Sequence, residues 1–464
     1  MMKLGMHARG TVAAALVAAG STLLGACNAK QELLAPQQPG VISPSDVQNA
    51  TAADALYVGA IARWKAAMNG GGNNTEAIWN WEALFTDELR SSDTFSQRND
   101  ADQRVTQSGD VVLTPIYQHA MQARGRARDA INALLAFDTS PTGKQHVGEM
   151  YYMMGYIELV MNQAFCNGLM FGETVDGEPQ NAPQITNADG FKLAIAHFDS
   201  ALTYLTGSDA GTTNIKSAVL VAKGRAQVDL GDYTGAAATV AGVLTNFQYN
   251  FDYSQTTFDN EWWIMGPSVG RYNAGDSVDV AGQIQNAIPF ARLADPRVNV
   301  ATDHKITAED NHSDYFPVMN WDRDDPVPVA SGIDARLIEA EAKLHANDIP
   351  GMMAILNGLR ESKQTLGVMS IPVLGDLPTP ATTDAATDLF FREKALWQFG
   401  RGYRMDDLRR LVRQYKRTQD KVFPTGPFTR NGTPSGQFGT EVAFPIPDVE
   451  HVNPNFKGCL DNNA

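Results

Sequence analysis

The sequence predicts a mostly α-helical protein built from helical hairpins that form a curved scaffold, with long irregular insertions. Three observations lead to this prediction. Apolar residues recur at helical spacing over many segments, the breaks between these segments are short, and small residues stand where paired helices would meet. Of the 464 residues, 43% are hydrophobic and 19% are charged, which is typical of a globular protein with a large core.

The first 26 residues have the pattern of an export signal. Lys3 and Arg9 give a positive start, Thr11–Leu24 is apolar, and the small residues Gly25–Ala26 precede Cys27. The apolar run is shorter than the roughly 20 residues that a membrane span needs. The pattern resembles a bacterial lipobox, in which Cys27 is lipidated and becomes the new N-terminus. A plain export signal followed by an unrelated cysteine is the alternative.

Residues 27–44 are predicted to form a flexible, lipid-attached tether, because they are rich in Gln, Pro, Gly and Ser without apolar periodicity. The folded domain is predicted over residues 45–464. The net charge of −15 and the absence of basic runs argue against nucleic acid as a partner. The histidines are scattered and no metal-ligand spacing occurs, so neither a metal nor a cofactor is expected.

Eight segments of the domain have helical spacing: Ala52–Met68, Pro115–Phe137, Val147–Phe165, Asp189–Leu205, Lys216–Leu230, Tyr233–Phe247, Gly332–Ala346 and Ile349–Arg360. Two stretches, Ala222–Leu244 and Ala335–Arg360, place a short turn between two helices, as tetratricopeptide (TPR) hairpins do. Their separation is irregular, so a regular solenoid is not expected. Asn246–Pro328 and Gly367–Thr387 read as long loops, and such loops are usually functional or disordered.

Aromatic rings beside polar side chains suit a sugar, which presents apolar C–H faces ringed by hydroxyls. Two stretches, Asn73–Asp100 and Phe258–Asp276, have this mixture. Packing of the first stretch in a helical core, and loop anchoring by the second, are the alternatives. If the second stretch is extended, one of its two adjacent tryptophans is the more exposed. The candidate ligand-binding residues are Trp79, Trp81, Trp262, Trp263, Arg271, Tyr272, Asn273 and Trp321.

Two further cysteines, Cys166 and Cys459, follow the signal. Export would place them in an oxidising compartment, where they form either a disulfide or two free thiols. The segment Gly266–Gly270 matches Gly-x-Ser-x-Gly, but Pro267 and the lack of a following helix former argue against a nucleophile elbow. No catalytic constellation stands out, and the chain is predicted not to be an enzyme.

Motifs in the C-terminal third resemble those of a known family. "GYRMDDLRRL" (Gly402–Leu411) resembles the Gly-x-Arg-x-x-Asp-Leu-x-Arg signature of the SusD/RagB family of nutrient-uptake outer-membrane lipoproteins. Ala340–Ala342 resembles the family's Ala-Glu-Ala hairpin, and Pro445–Asn455 resembles its Pro-Ile-Pro…Glu…Asn-Pro-Asn ending. These motifs keep the family's order, and the resemblance runs from about residue 45 to residue 460.

One position departs from the signature. Many members have Glu directly before its Gly, and this chain has Arg401. Asp406 or Asp407 is therefore expected to pair with Arg401 or Arg404. Asp406 and Arg410 lie four residues apart, which on a helix places them side by side. The signature is assigned to the scaffold rather than to ligand binding.

The resemblance implies a SusD-like fold and a division of labour. Family members sit at the cell surface over a SusC-like TonB-dependent outer-membrane channel, bind an oligosaccharide or a peptide, and pass it on; they are not enzymes. This chain would be lipid-anchored at the outer membrane through Cys27. An exported surface enzyme, such as a glycoside hydrolase, and a TPR-like scaffold without a small ligand are the alternatives.

Overall fold

The computed structural model describes residues 47–71, 76–175 and 178–464. The predicted signal (1–26), the tether (27–44) and the lipidation site Cys27 lie outside the described residues. Within the described part, no helix has the length and apolar character needed to cross a membrane.

Helices dominate the described residues. In chain order they are α1 (Ala50–Asn69), α2 (Ile78–Phe85), α3 (Ser96–Gln103), α4 (Leu113–Phe137), α5 (Pro141–Ala164), α6 (Asn187–Tyr204), α7 (Ala210–Asp229), α8 (Tyr233–Val240), α9 (Glu261–Trp263), α10 (Gly332–His345), α11 (Ile349–Arg360), α12 (Thr383–Trp397) and α13 (Arg404–Arg413). The mostly helical fold class is confirmed.

The strands are short and pair only in twos within the described residues, always antiparallel. They are β1 (Leu89–Ser91), β2 (Glu173–Val175), β3 (Glu178–Gln180), β4 (Gln248–Phe251), β5 (Tyr272–Ala274), β6 (Val278–Asp279), β7 (Gly282–Gln283), β8 (Val327–Ser331), β9 (Gln364–Leu366), β10 (Met369–Ile371), β11 (Pro427–Arg430) and β12 (Thr433–Gln437). The pairs β1·β5 and β4·β8 join distant parts of the chain, and the other four are local hairpins.

The two predicted hairpins, α7–α8 and α10–α11, are built in the same way. Each second helix is capped by an aspartate: Asp232 accepts from the backbone N–H of Gly235, and Asp348 from that of Gly351, both at 2.9 Å. Successive helices pack side by side from α4 to α8, and α10 packs on α8 and α11. The repeated cap explains why the sequence signalled two similar hairpins.

Small residues allow these helices to approach closely. A Cβ added at Gly155 of α5 would lie 2.7 Å from a ring carbon of Phe198 in α6 and 2.9 Å from the Ala194 carbonyl oxygen. Contacts this short do not occur between real side chains, so only glycine fits between the two helices. Gly155 was not singled out in the sequence, but Gly224, in the first predicted hairpin stretch, behaves in the same way, since an added Cβ there would lie 2.7 Å from Cγ1 of Val240.

All eight predicted helices are present, with some changes of boundary. The helix predicted over Tyr233–Phe247 ends at Val240, because the chain then turns to enter β4. Helices α2, α3 and α12 were not predicted. Neither α2 nor α3 shows an apolar stripe, since every residue of α2 is buried and α3 reads SQRNDADQ, whereas α12 does bury one face. The loop predicted over Gly367–Thr387 contains β10 and the first turn of α12.

The signature segment forms α13 and lies at the centre of a buried ionic network. Arg410 donates to Asp406, as predicted, at 3.1 Å, and also to Asp407 and Glu341. The Nζ of Lys394 lies 2.6 Å from an Asp407 carboxylate oxygen. All of these side chains are buried.

The predicted partners of Arg401 and Arg404 were wrong. Arg401 makes a two-pronged ion pair with Asp334 (3.1 and 2.6 Å), and Arg404 makes one with Asp87 (2.7 and 3.0 Å). Asp407 is engaged by Lys394 and Arg410, so the distant carboxylates of α10 and of the segment before β1 serve instead. These contacts tie the turn before α13 to α10, and the start of α13 to the segment before β1.

A disulfide joins Cys166 and Cys459. It fixes the C-terminal segment to the end of α5, and the backbone N–H of Leu460 donates to the Asn167 carbonyl at 2.7 Å beside it. The sequence had left a bridge and two free thiols open.

The buried carboxyl group of Glu88 gives a prediction on pH. Its oxygen accepts from the Gly400 backbone N–H at 3.0 Å, and burial raises its pKa to about 8 in spite of that bond. Between pH 4.5 and about 8 the folded state therefore keeps a proton on Glu88 that the unfolded chain has lost. The free energy of unfolding consequently falls as the pH rises through this range. Glu88→Gln stays neutral and keeps the acceptor. The variant should gain on the order of 2–4 kcal/mol over the wild type between pH 5 and pH 8.

Urea unfolding of both proteins at pH 5 and pH 8 measures this difference. Glu361→Gln, at an exposed position, is the matched control and should track the wild type. An equal pH dependence in the wild type and in Glu88→Gln would contradict the prediction.

Candidate ligand-binding site

The two stretches predicted to bind ligand are adjacent in the fold. Strand β1 belongs to the first stretch and β5 to the second, and they pair antiparallel with Arg90 opposite Asn273 and Ser91 opposite Tyr272. Residues about 180 positions apart in the sequence thus share one two-stranded sheet. The pairing assembles a site that neither stretch forms alone.

Most of the predicted aromatic platform is buried. Trp79, Trp81, Trp262, Tyr272 and Trp321 are each at most 2% exposed. At these five positions the prediction of a surface for stacking sugars is wrong, because the rings form the core beneath the loops.

Their packing shows what they do instead. The Trp262 and Trp321 ring centroids are 5.5 Å apart, and Trp79 stacks on Phe251 at 5.6 Å. Gly402, with φ of +69°, lies directly against Trp79, where an added Cβ would be 2.1 Å from Cδ1 of the indole. The glycine of the signature motif therefore makes room for a core tryptophan.

The adjacent tryptophans do differ in exposure, although they lie on the short helix α9 rather than on a strand. Trp263 is partly exposed, and the Arg323 guanidinium lies over its ring at 5.3 Å from the centroid. Two hydrogen bonds to Asp259, at 2.8 and 3.0 Å, hold Arg323 there. Trp263 is the predicted tryptophan that a ligand could reach.

The two polar candidates of the second stretch have different surroundings. Arg271 is about one-third exposed, with its Nε 3.3 Å from a carboxylate oxygen of Asp93. Asn273 is buried, donates to the Asp314 carbonyl at 2.7 Å and accepts from the Phe316 N–H at 2.6 Å. Asn273 therefore fixes the loop that carries Asp314 and Phe316.

A cavity of about 290 Å³ opens beside Asn273. Its walls come from β1, β5, the β6–β7 hairpin, the 313–316 loop and the β11–β12 hairpin. Val278 and Val280 are exposed on one wall and provide an apolar surface. This size and mixture of surfaces suit a small polar ligand with apolar faces.

Two arginines organise the polar wall. Arg90 bridges Asp102 (2.9 Å) and Asp279 (3.2 Å). Burial raises the pKa of Asp102 to about 6 despite Arg90, and the backbone N–H of Ser91 donates to the same carboxyl group. Asp102 is fully buried and does not line the cavity. Asp279 does line it, so Asp279 is the partner of Arg90 whose carboxylate can contact a ligand.

Arg292 forms the second polar centre. Its guanidinium stacks over the Phe316 ring at 5.1 Å and pairs with Asp276 and, at 3.5 Å, with Asp314. Arg292 is half exposed, so it retains contact with solvent. Carboxylates that accept and a guanidinium that donates, set around a ring, match the hydroxyls and C–H faces of a sugar.

A second and wider cavity, of about 720 Å³, lies on the other side of Arg292 and Phe316, which line both. Its remaining walls include Phe290, Pro296 and Met369. The two cavities are thus separated by one ridge, formed by a guanidinium on an aromatic ring. Arg90 lies in the first predicted stretch, whereas the sequence did not single out Asp279, Arg292 or Phe316, because each is isolated from the others along the chain.

The geometry does not favour the enzymatic alternative at Gly266–Gly270. Ser268 ends a π-helical turn that contains Pro267, and the chain continues into β5 rather than into a helix. A nucleophile elbow needs a strand before the serine and a helix after it. Within the described residues no group of three or more His, Cys, Asp or Glu side chains is placed to hold a metal ion.

Several solved structures share this arrangement of helices and loops, and they are described as SusD superfamily or SusD-like proteins. A SusD superfamily protein from Bacteroides vulgatus ATCC 8482 is 16% identical, with a TM-score of 0.61, and the match covers 89% of this chain and 99% of that one. A SusD-like carbohydrate binding protein from Bacteroides fragilis NCTC 9343 is 13% identical, with a TM-score of 0.63 and coverage of 88% and 99%. A laminarin binding SusD-like protein is 14% identical, with a TM-score of 0.60 and coverage of 89% and 99%.

The chain therefore has the SusD-like fold, as the sequence motifs predicted. No family model and no curated protein matches the sequence. At these identities the structural likeness establishes the fold alone.

Proposed function

We propose that the chain is a cell-surface lipoprotein, anchored in the outer membrane through Cys27, that binds an oligosaccharide and delivers it to a SusC-like TonB-dependent channel. The observation that carries the proposal is the SusD-like fold over nearly nine-tenths of the chain, with a cavity of sugar-binding character in its loop region. The lipobox-like signal supports the anchor. Several lipid chains on Cys27 would make attachment stable, at about 0.8 kcal/mol per buried methylene.

The charges around the cavity favour a neutral oligosaccharide. Arg90 and Arg292 are already paired with Asp279, Asp276 and Asp314, so among the described residues the cavity lining offers no unpaired positive charge to an acidic sugar. The hydroxyls of a neutral sugar would bridge these pairs without separating them. If the test shows binding of peptides and not of oligosaccharides, a cationic or apolar peptide is the expected ligand class.

Calorimetry of the soluble chain from residue 28 onwards, against neutral and acidic oligosaccharides and peptides, tests the proposal. We expect Asp279→Asn and Arg292→Ala each to weaken binding of a neutral oligosaccharide about tenfold, since each removes a charge-assisted hydrogen bond. Trp263→Ala and Trp263→Phe show whether this partly exposed ring, which lines neither cavity, contributes to binding.

Asp199→Asn is the matched control, because Asp199 lies on α6 and pairs only with Lys223 among the described residues. Turnover of the sugar would favour the enzyme alternative. Absence of any ligand, with an outer-membrane channel still co-purifying with the full chain, would favour the scaffold alternative.

A further inference from the structure

A third cavity, of about 450 Å³, lies between α12, α13 and the turns near Ile288 and Lys421. It shares no lining residue with the two cavities described above. Its lining carries four cationic side chains and one carboxylate: Arg392, Arg404, Arg417, Lys421 and Asp388. The lining of this cavity is thus positively charged, although the chain as a whole has a net charge of −15.

Two of the four cations are already engaged. Arg404 gives its Nε and Nη2 to Asp87, and Arg417 pairs with Asp388 and donates to the Asp384 carbonyl at 3.1 Å. These contacts hold Arg404 and Arg417 in fixed positions in the cavity lining.

The other two cations are available. Arg392 and Lys421 are exposed, and neither side chain makes an ion pair or hydrogen bond with the described residues. Arg392 projects from the rigid helix α12, and Lys421 comes from a short 3₁₀ turn. Two unmatched cations at one cavity favour an anion that can accept from both.

The rest of the lining is apolar. Phe391, Leu408, Leu411 and Val422 are buried side chains whose surfaces form the wall. Ile288 is held in place by its backbone N–H, which donates to Asp87 at 2.7 Å, the same carboxylate that holds Arg404. Leu408, Leu411 and Arg404 all come from the signature segment, so this segment lines a cavity in addition to building the scaffold.

We propose that this cavity binds a small organic phosphate. The phosphate group would lie between Arg392 and Lys421, and the carbon body would pack on the wall formed by Phe391, Leu408 and Val422. A phosphate monoester carries close to two negative charges at neutral pH and three strong acceptor oxygens, which matches two separate cationic donors. The proposed phosphate site shares no lining residue with the oligosaccharide cavity. An experiment can therefore reject one of the two proposals without rejecting the other.

Calorimetry on the full chain, in a nonionic detergent and at low salt, tests the inference with hexyl phosphate as the probe. Hexanol and inorganic phosphate, the two halves of the probe, are titrated separately. We expect hexyl phosphate to bind more tightly than either half. Arg392→Gln and Lys421→Gln should each weaken it about tenfold.

Lys363→Gln removes an exposed lysine outside the cavity and should leave the affinity unchanged. Equal affinities for hexyl phosphate and hexanol, or wild-type affinity in both cavity variants, would overturn the proposal. So would inorganic phosphate binding as tightly as hexyl phosphate, because the apolar wall would then have no role.

Dihexanoyl phosphatidic acid, which is monomeric at low concentration, distinguishes two sources of the same chemistry. If it binds more tightly than hexyl phosphate and the binding needs Lys421, a lipid headgroup is the ligand. If it binds more weakly, the ligand is a free organic phosphate.

Discussion

Arg410→Met should lower the free energy of unfolding by about 3–5 kcal/mol, enough to leave much of the protein unfolded at 37 °C. Arg410 is the common partner of Glu341, Asp406 and Asp407, all of them buried. Methionine fills similar space but leaves three buried carboxylates with two cations close by: Lys394 beside Glu341 and Asp407, and the partly exposed Arg413 at 3.4 Å from Asp406. Buried charge that is not fully compensated is strongly destabilising.

The measurement is urea unfolding followed by circular dichroism. Arg413→Met is the matched control, because Arg413 is on the same helix and a quarter exposed, and its nearest contact to Asp406 is 3.4 Å. We expect this control to lose about 1 kcal/mol or less. A loss below 1 kcal/mol in Arg410→Met would show that the network is not needed for stability.

Removal of the Cys166–Cys459 bridge should cost about 2–5 kcal/mol. The bridge closes a loop with a sequence separation of 293. Without the bridge the unfolded chain has a much larger conformational entropy, which favours unfolding. Unfolding of the wild type with and without dithiothreitol, compared with a Cys166→Ala/Cys459→Ala variant, measures this cost.

The double variant should match the reduced wild type and should itself be insensitive to dithiothreitol. Hydrogen exchange should accelerate first near Leu460, whose backbone N–H donates to Asn167 next to the bridge. Equal stability of the oxidised and reduced wild type would contradict the prediction.

The sequence predicted most helices that have one apolar face, but it missed α12, whose first residues fall in the Pro- and Thr-rich stretch that was read as a loop. It missed α2 because a helix buried on every side has no polar face to reveal its period. It also missed α3, whose polar composition gives no stripe. Local patterns were thus sufficient for the hairpins and insufficient for short helices held by tertiary contacts.

The candidate site was predicted less well, and for a physical reason. Tryptophan and tyrosine serve equally as core and as binding surface, so composition alone could not tell the buried Trp262 from the partly exposed Trp263. Asp279 carries no local pattern, and Arg90 is one of several polar residues in its predicted stretch. Only the pairing of β1 with β5, which depends on the whole fold, brings them to one cavity.

The partners of the signature arginines illustrate the same limit. Asp406 and Arg410 were predicted correctly because four residues on a helix fix their distance. Arg401 and Arg404 instead use Asp334 and Asp87, 67 and 317 positions away. No spacing rule relates residues at such separations.

Because Cys166 and Cys459 are 293 positions apart, their disulfide can form only late in the synthesis of the chain. A ribosome adds roughly 5–20 residues each second, so the first of these cysteines waits on the order of 15–60 s for the second. Folds closed by such distant contacts also form slowly. Until the segment around Cys459 has been made, the end of α5 therefore lacks the disulfide and the Leu460–Asn167 hydrogen bond that hold it in the finished fold.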